Sequence, residues 1–164
     1  MSDAPRRAFY SVDTNVFMDW QFRYYPTDIF PSLLGRIDTL ITEQRFFSPA
    51  LVDEELRKVG TPELISWSDA HPSIWLPNTE VLAAALAIQN RFPGLLDPKA
   101  EFDEADAYVI ALAQLRDGTV VTQETSEAEK RKPPRPMYIP DVCRELGVTC
   151  VSLQGLMRRE GWKL

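Results

Sequence analysis

The sequence holds a single histidine, His71, two cysteines, Cys143 and Cys150, and seven glycines that form no cluster. Each scarcity removes a class of chemistry. Two thiols seven residues apart match no zinc spacing, and one histidine is a poor basis for either zinc binding or histidine catalysis. We expect the thiols to be buried or half-buried structural residues, and His71 to sit in a surface loop. Without a P-loop or a GxGxxG turn, nucleotide-driven chemistry and dinucleotide oxidoreduction lose support. GxSxG and related nucleophile motifs are missing as well. The longest apolar run, from Val81 to Ile88, is far short of the ~18 residues of a membrane span. The opening MSDAPRRAFY has no apolar stretch behind its arginines, so a cytoplasmic protein with no membrane partner is expected. Positive charge is also in deficit. Eighteen Lys and Arg stand against 24 Asp and Glu, a net charge of -6. The molecule as a whole therefore does not attract polyanions at long range, and any nucleic acid must be handled by a local basic patch or by bound cations.

What is present is a chain of 164 residues, 45% of them hydrophobic, which suits one domain spanning residues 1–164. Strands are expected at Ala8–Val12, Phe46–Ser48, Thr119–Thr122 and Thr149–Val151. Between them lie helical stretches. Asp28–Gln44 carries Leu33, Leu34, Ile37, Leu40 and Ile41 at three- and four-residue steps. A helix opening at Pro49 groups Leu51, Val52, Glu55 and Leu56 on one face, and Pro62–Trp67 and Glu80–Phe92 follow. Glu104–Leu115 is apolar around most of its circumference and should be buried. A short helix opens at Ile139 and ends near Gly147, and a last one follows the fourth strand. Strand–helix alternation of this kind predicts an α/β fold of three layers around a parallel sheet.

In open parallel sheets, sites form outside the carboxyl ends of the strands. Asp13 directly follows the first strand and Glu124 lies two residues beyond the third, so both are expected at one rim. Glu55 interrupts an apolar helix face, a poor place for an unpaired charge. Asp106 lies in the first turn of the buried helix, with Asp103 one turn earlier. Each acid has an ordinary explanation taken singly, as a helix cap, a favourable partner for a helix dipole or a solvated loop residue. Several of them converging on one rim repel one another, and the sequence offers no buried Arg or Lys cluster to compensate. A hard divalent cation, Mg2+ or Mn2+, resolves the conflict. Carboxylate-held cations suit phosphodiester hydrolysis and need no Ser, Cys or His nucleophile.

The segments Ser11–Phe17, Val52–Leu56, Glu104–Ala113 and Val120–Glu124, in that order, resemble the PIN domain, from about residue 8 to about residue 155. The FPSL segment, VVTQE and Ile139-Pro140-Asp141-Val142-Cys143 are similar to an uncharacterised bacterial and archaeal PIN-like subfamily. The resemblance implies a three-layer α/β/α PIN-like fold with a central parallel sheet. It also implies a metal-dependent endoribonuclease, often the toxin of a type II toxin–antitoxin pair of the VapC kind, acting on RNA with Mg2+ or Mn2+. By resemblance Asp13, Glu55 and Asp106 are metal ligands and catalytic acids. The fourth acid departs from the family's Thr-Asn-Asp, because Thr122-Gln123-Glu124 puts a longer Glu there; either Glu124 or Asp141 supplies it. Thr14 or Asn15, with Thr122, would orient the carboxylates. Homodimers and a cognate antitoxin are the implied protein partners.

RNA contact also calls for cations from the protein. Lys130, Arg131 and Lys132 open the densest basic run, which reads either as an RNA contact or as a solvated loop. Arg57 and Lys58 are candidates to line the cleft. Trp20, Phe22, Tyr24, Tyr25 and Phe30 suit base stacking, the core or an oligomer contact. Two alternatives stand beside the nuclease. One is a catalytically weak or inactive PIN-like scaffold that binds RNA or a protein. The weaker one is a phosphatase with an Asp nucleophile, whose Asp-x-Asp strand end is broken here by Ser11.

Overall fold

A computed structural model describes residues 7–97, 104–125, 129 and 136–164 of the protein. Five parallel strands form the sheet: β1 (Tyr10–Val12), β2 (Phe46–Pro49), β3 (Trp75–Leu76), β4 (Thr119–Val121) and β5 (Thr149–Val151). Their order is β3-β2-β1-β4-β5. The chain thus leaves β1 in one direction for β2 and β3, then returns to the other side of β1 for β4 and β5. The reversal falls between β1 and β4, where Tyr10, Ser11 and Val12 pair with Thr119, Val120 and Val121. A crevice at the carboxyl ends of these two strands is the expected consequence of that topology.

The helices make the outer layers. After β1 come α1 (Thr14–Met18), a π-helical turn (Asp19–Arg23) and α2 (Pro31–Thr42). After β2 come α3 (Ala50–Val59) and α4 (Pro62–Ala70). Between β3 and β4 lie α5 (Asn78–Arg91) and α6 (Asp106–Leu115). Then α7 (Ile139–Leu146) precedes β5 and α8 (Leu153–Glu160) follows it. Right-handed crossovers send the helices between β1 and β3 to one face and those between β3 and β5 to the other. Packing agrees: α6 lies on β1, β2 and β4 with α5 and α7 against it, whereas α2 meets β2. Because α6 is enclosed by the sheet and two helices, every residue from Ala107 to Ala113 is buried. Its lack of a polar side is therefore what the position demands. Two buried hydroxyls are satisfied by main-chain carbonyls: Ser11 ties β1 to α6, donating to Val109 at 2.7 Å, and Ser48 ties β2 to β1, donating to Val12 at 2.6 Å.

Several expectations need correction. The sheet has a fifth strand, β3, at the edge beside β2. It is two residues long between Pro72 and Pro77, too short to carry a readable alternation. Helix α2 starts at Pro31 rather than Asp28, α4 runs on to Ala70, and α6 opens at Asp106 rather than Glu104. His71 is not a plain loop residue. It is half-buried at the end of α4, stacked on Trp67 at 4.3 Å between ring centres, with Nδ1 2.7 Å from the Trp67 carbonyl. The thiols match expectation: both are free, Cys143 buried and Cys150 half-buried. A hydrogen bond to Cys150 and then burial push the Cys143 thiol far up, which keeps it protonated. No helix among the described residues is long and apolar enough to cross a membrane.

Candidate metal centre

Asp13 is the first residue beyond β1 and serves as the N-cap of α1. Its Oδ1 accepts the Thr14 N–H at 2.8 Å, and its own N–H donates to the Val121 carbonyl, which locks it to the end of β4. The other oxygen, Oδ2, accepts from the Thr122 hydroxyl at 2.9 Å. Thr122 in turn accepts the Glu124 N–H at 3.1 Å. One threonine therefore sets both the aspartate from β1 and the bend that delivers Glu124 beyond β4. Asn15 completes that bend, its Oδ1 accepting the Gln123 N–H at 3.1 Å. Its contact is thus with the loop after β4 and not with a carboxylate, unlike Thr14 and Thr122.

Asp106, at the start of α6, brings a third carboxylate to the rim. One carboxylate oxygen from each of Asp13, Asp106 and Glu124 lies within 4.8 Å of the other two. Glu124 is itself braced from the far side, where its Oε2 accepts the Ile139 N–H at the start of α7. Asp13 is only 3% exposed. Burial, and after it the Glu124 carboxylate, push its pKa from 3.8 to about 7; the hydrogen bonds from Thr122 and Thr14 work against that rise, and Glu55 adds to it. The aspartate is thus held where its charge is costly and next to charges of the same sign.

Glu55 occupies a different place from the one expected. It lies beside the three acids but outside their group. Its Oε2 accepts the Thr14 hydroxyl and its Oε1 accepts the Ala105 N–H at 2.8 Å. It therefore ties α3 to the residue after Asp13 and the residue before Asp106. The spacing of α3 foresaw a carboxylate aimed at this region; it did not foresee a brace.

Hard oxygen donors from three separate elements are the donor set that Mg2+ or Mn2+ takes. Oxygens sharing an ion at roughly 2.1 Å stand at most about 4.2 Å apart, so the observed spacing needs only a small side-chain adjustment. A family model matches residues 10–164 under the description Domain of unknown function (DUF4411). The chain belongs to the DUF4411 family. No curated protein and no solved structure matches it.

Other expected site residues of this DUF4411 chain fall elsewhere. Asp141 is buried, and its Oδ2 accepts the Tyr138 N–H at 2.9 Å in a capping box of α7. It is not in the acidic group, which has Glu124 at that rim. Arg57 pairs with Asp53 and Asp69, the partners one helical turn back on α3 and on α4, rather than lining the cleft. Lys130, Arg131, Lys132 and Asp103 lie outside the described residues. Of the aromatics, Trp20 is fully buried against Phe17 and Trp67, Tyr25 and Phe30 pack edge to face, and Tyr24 is 60% exposed. A cavity of about 440 Å³ lined by Phe9, Gly118 and Thr149 opens at the opposite, amino ends of the strands and contains none of the acids.

Proposed function

We propose that this protein is a metal-dependent endoribonuclease of the PIN type, with Asp13, Asp106 and Glu124 holding Mg2+ or Mn2+ and Glu55 bracing the site. One observation carries the reading: three carboxylates from the ends of β1 and β4 and the start of α6 meet at the β1–β4 switch point, with Asp13 almost wholly buried among them. A fold spends stability to keep such a cluster, and a divalent ion is the counter-charge its oxygens suit. The parallel α/β architecture is compatible with the PIN fold, and the order of the motifs resembles it.

When bound, the ion would lower the pKa of a coordinated water and offset charge on the phosphate. The protein's own work is positioning. Thr122 and the Thr14 N–H fix both oxygens of Asp13, so the carboxylate meets its target without reorganising. Ile139 fixes Glu124, and the Glu55 bridge keeps the starts of α1 and α6 in register. RNA as substrate, and a place as the toxin of a type II pair in the cytoplasm, with a cognate antitoxin and homodimer formation, rest on the PIN resemblance. A small DNA-binding protein encoded next door would support the toxin reading. One observation favours a catalytically weak scaffold instead: the acids whose oxygens meet within 4.8 Å are Asp13, Asp106 and Glu124, with Glu55 outside that group, which gives three acids where the resemblance expects four.

The deciding experiment incubates purified protein with transfer and structured RNAs in Mn2+ or Mg2+, with EDTA controls and with Asp13→Asn and Asp106→Asn. Metal-dependent cleavage by the wild type and its loss in both variants is expected. Undiminished cleavage by either variant removes that residue from the site, and cleavage in EDTA removes the metal.

A further inference from the structure

Beside the acids, on the β5 side, Tyr24, Tyr25, Gln123, Ser152 and Gln154 line a cleft of about 360 Å³. Its walls come from the same rim as the acids. Gln123 stands between Thr122, which holds Asp13, and Glu124; Ser152 is the first residue beyond β5; Tyr24 ends the π-helical turn that continues α1 from Asp13. We infer that this cleft seats a nucleobase of single-stranded RNA, stacked on Tyr24, whose neighbouring phosphate lies at the acidic cluster. This rests on the ribonuclease reading and adds to it the part that holds the substrate.

Three features argue for a base. The first is an exposed aromatic face on a set backbone: Tyr24 is 60% exposed, and its N–H donates to the Asp19 carbonyl at 2.9 Å, closing the π-helical turn. Such turns recur at functional sites, and a solvated tyrosine beside a polar cleft matches the stacking platforms used for unpaired bases. The second is rigidity. Tyr25 packs on Phe30 at 5.5 Å between ring centres, and its hydroxyl accepts from Gln154 Nε2 at 3.0 Å. The third is the presence of two amides where a base edge would lie. Gln123 Oε1 is used to cap α8 through the Leu153 N–H at 2.9 Å, which turns its Nε2 into the donor available to a ligand among the described residues. Gln154 contributes a second amide. An apolar partner surface would not need these groups; the edge of a base does.

The test uses a short single-stranded RNA carrying 2-aminopurine, whose fluorescence falls on stacking, with full-length wild type, Tyr24→Ala, Tyr24→Phe and Gln154→Ala, each checked for native circular dichroism. We expect quenching with the wild type, at least tenfold weaker binding for Tyr24→Ala with a raised KM in the Mn2+ cleavage assay, near wild-type affinity for Tyr24→Phe, and an intermediate loss for Gln154→Ala. If the wild type cleaves RNA with Mn2+ but Tyr24→Ala and Gln154→Ala bind as it does, the cleft is not the base site and the nuclease reading survives. If no RNA is cleaved but the Tyr24-dependent quenching is seen, the nuclease reading fails and the base site stands. Unchanged RNA binding with altered self-association of Tyr24→Ala assigns this face to protein contact and overturns the inference.

Discussion

Asp13 makes the metal-free protein's stability depend on pH in an unusual direction. A carboxyl whose pKa is about 7 when folded, against 3.8 for an unperturbed aspartate, binds its proton more tightly in the native protein. Between those values the native state carries a proton that the unfolded chain has lost, so stability is greatest below about pH 4 and declines as pH rises to about 7. Paired surface acids behave in the opposite way. The full effect is roughly 4 kcal/mol, of which more than half falls between pH 5 and 7.5. For a chain of this size that corresponds to a Tm lower by roughly 5–10 °C. The window starts at pH 5 for a reason: Glu160, held below its usual range by Arg45 and Tyr10 against the cost of burial, loses its contribution only at lower pH. Thermal and urea unfolding in EDTA at pH 5, 6, 7 and 7.5 measure the effect. Asp13→Asn removes the charge, so this variant should be more stable than wild type at pH 7.5 without metal and nearly flat across the window. Millimolar Mn2+ should stabilise the wild type at pH 7.5, by about 2.7 kcal/mol at a hundred times Kd and with a higher Tm, and leave Asp13→Asn unmoved. A wild-type protein equally stable at pH 5 and 7.5, or an Asp13→Asn variant less stable than wild type at pH 7.5, would refute the electrostatic argument.

Two further outcomes are expected. Asp141→Ala removes an N-cap partner and leaves the buried Tyr138 N–H without its acceptor, at a cost of about 1–2 kcal/mol in urea unfolding. Its Mn2+ affinity by calorimetry should stay within a few-fold of wild type, and loss of metal binding in a folded variant would make Asp141 a ligand. Replacing Lys130, Arg131 and Lys132 with alanine should flatten the dependence of log RNA affinity on log salt by about 2, given roughly 0.7 per phosphate contact on a single strand; an unchanged slope removes that run from the RNA surface.

The parts of the architecture that were readable are those where a single physical demand selects the residues. Val120 and Val121 sit in a central strand covered on both faces, and only such a position favours a β-branched run there. The uninterrupted apolar stretch Ala107–Ala113 belongs to a helix enclosed on all sides. Strand β3 leaves no local signature in the sequence, because Trp75 and Leu76 are held by pairing with Ser48 and Pro49, a tertiary demand. Asp13 and Glu124 were legible through topology, since strand ends of a parallel sheet share a rim. Glu55 was only half legible. A helix face containing Leu51, Val52 and Leu56 says that its carboxylate turns inward, but a ligand and a brace ask for the same residue, and the difference lies in its reach to the Thr14 hydroxyl and the Ala105 N–H. Asn15 was expected to orient a carboxylate and Gln123 gave no signal; both instead accept from main-chain groups brought close by the bend after β4.

The acidic cluster is the place where local and global preferences disagree, and that disagreement is informative. Ser11, Ser48 and Asp141 are buried polar groups too, yet each sits against a main-chain group that satisfies it, so structure alone accounts for them. Asp13 has two hydrogen bonds to its oxygens and is still driven toward the neutral form, because they do not offset its burial and, after that, the neighbouring Glu124 carboxylate. An asparagine here would offer the same α1 cap without the repulsion. A carboxylate at this position is therefore poorly explained by folding alone, and the divalent ion proposed above would supply the missing counter-charge.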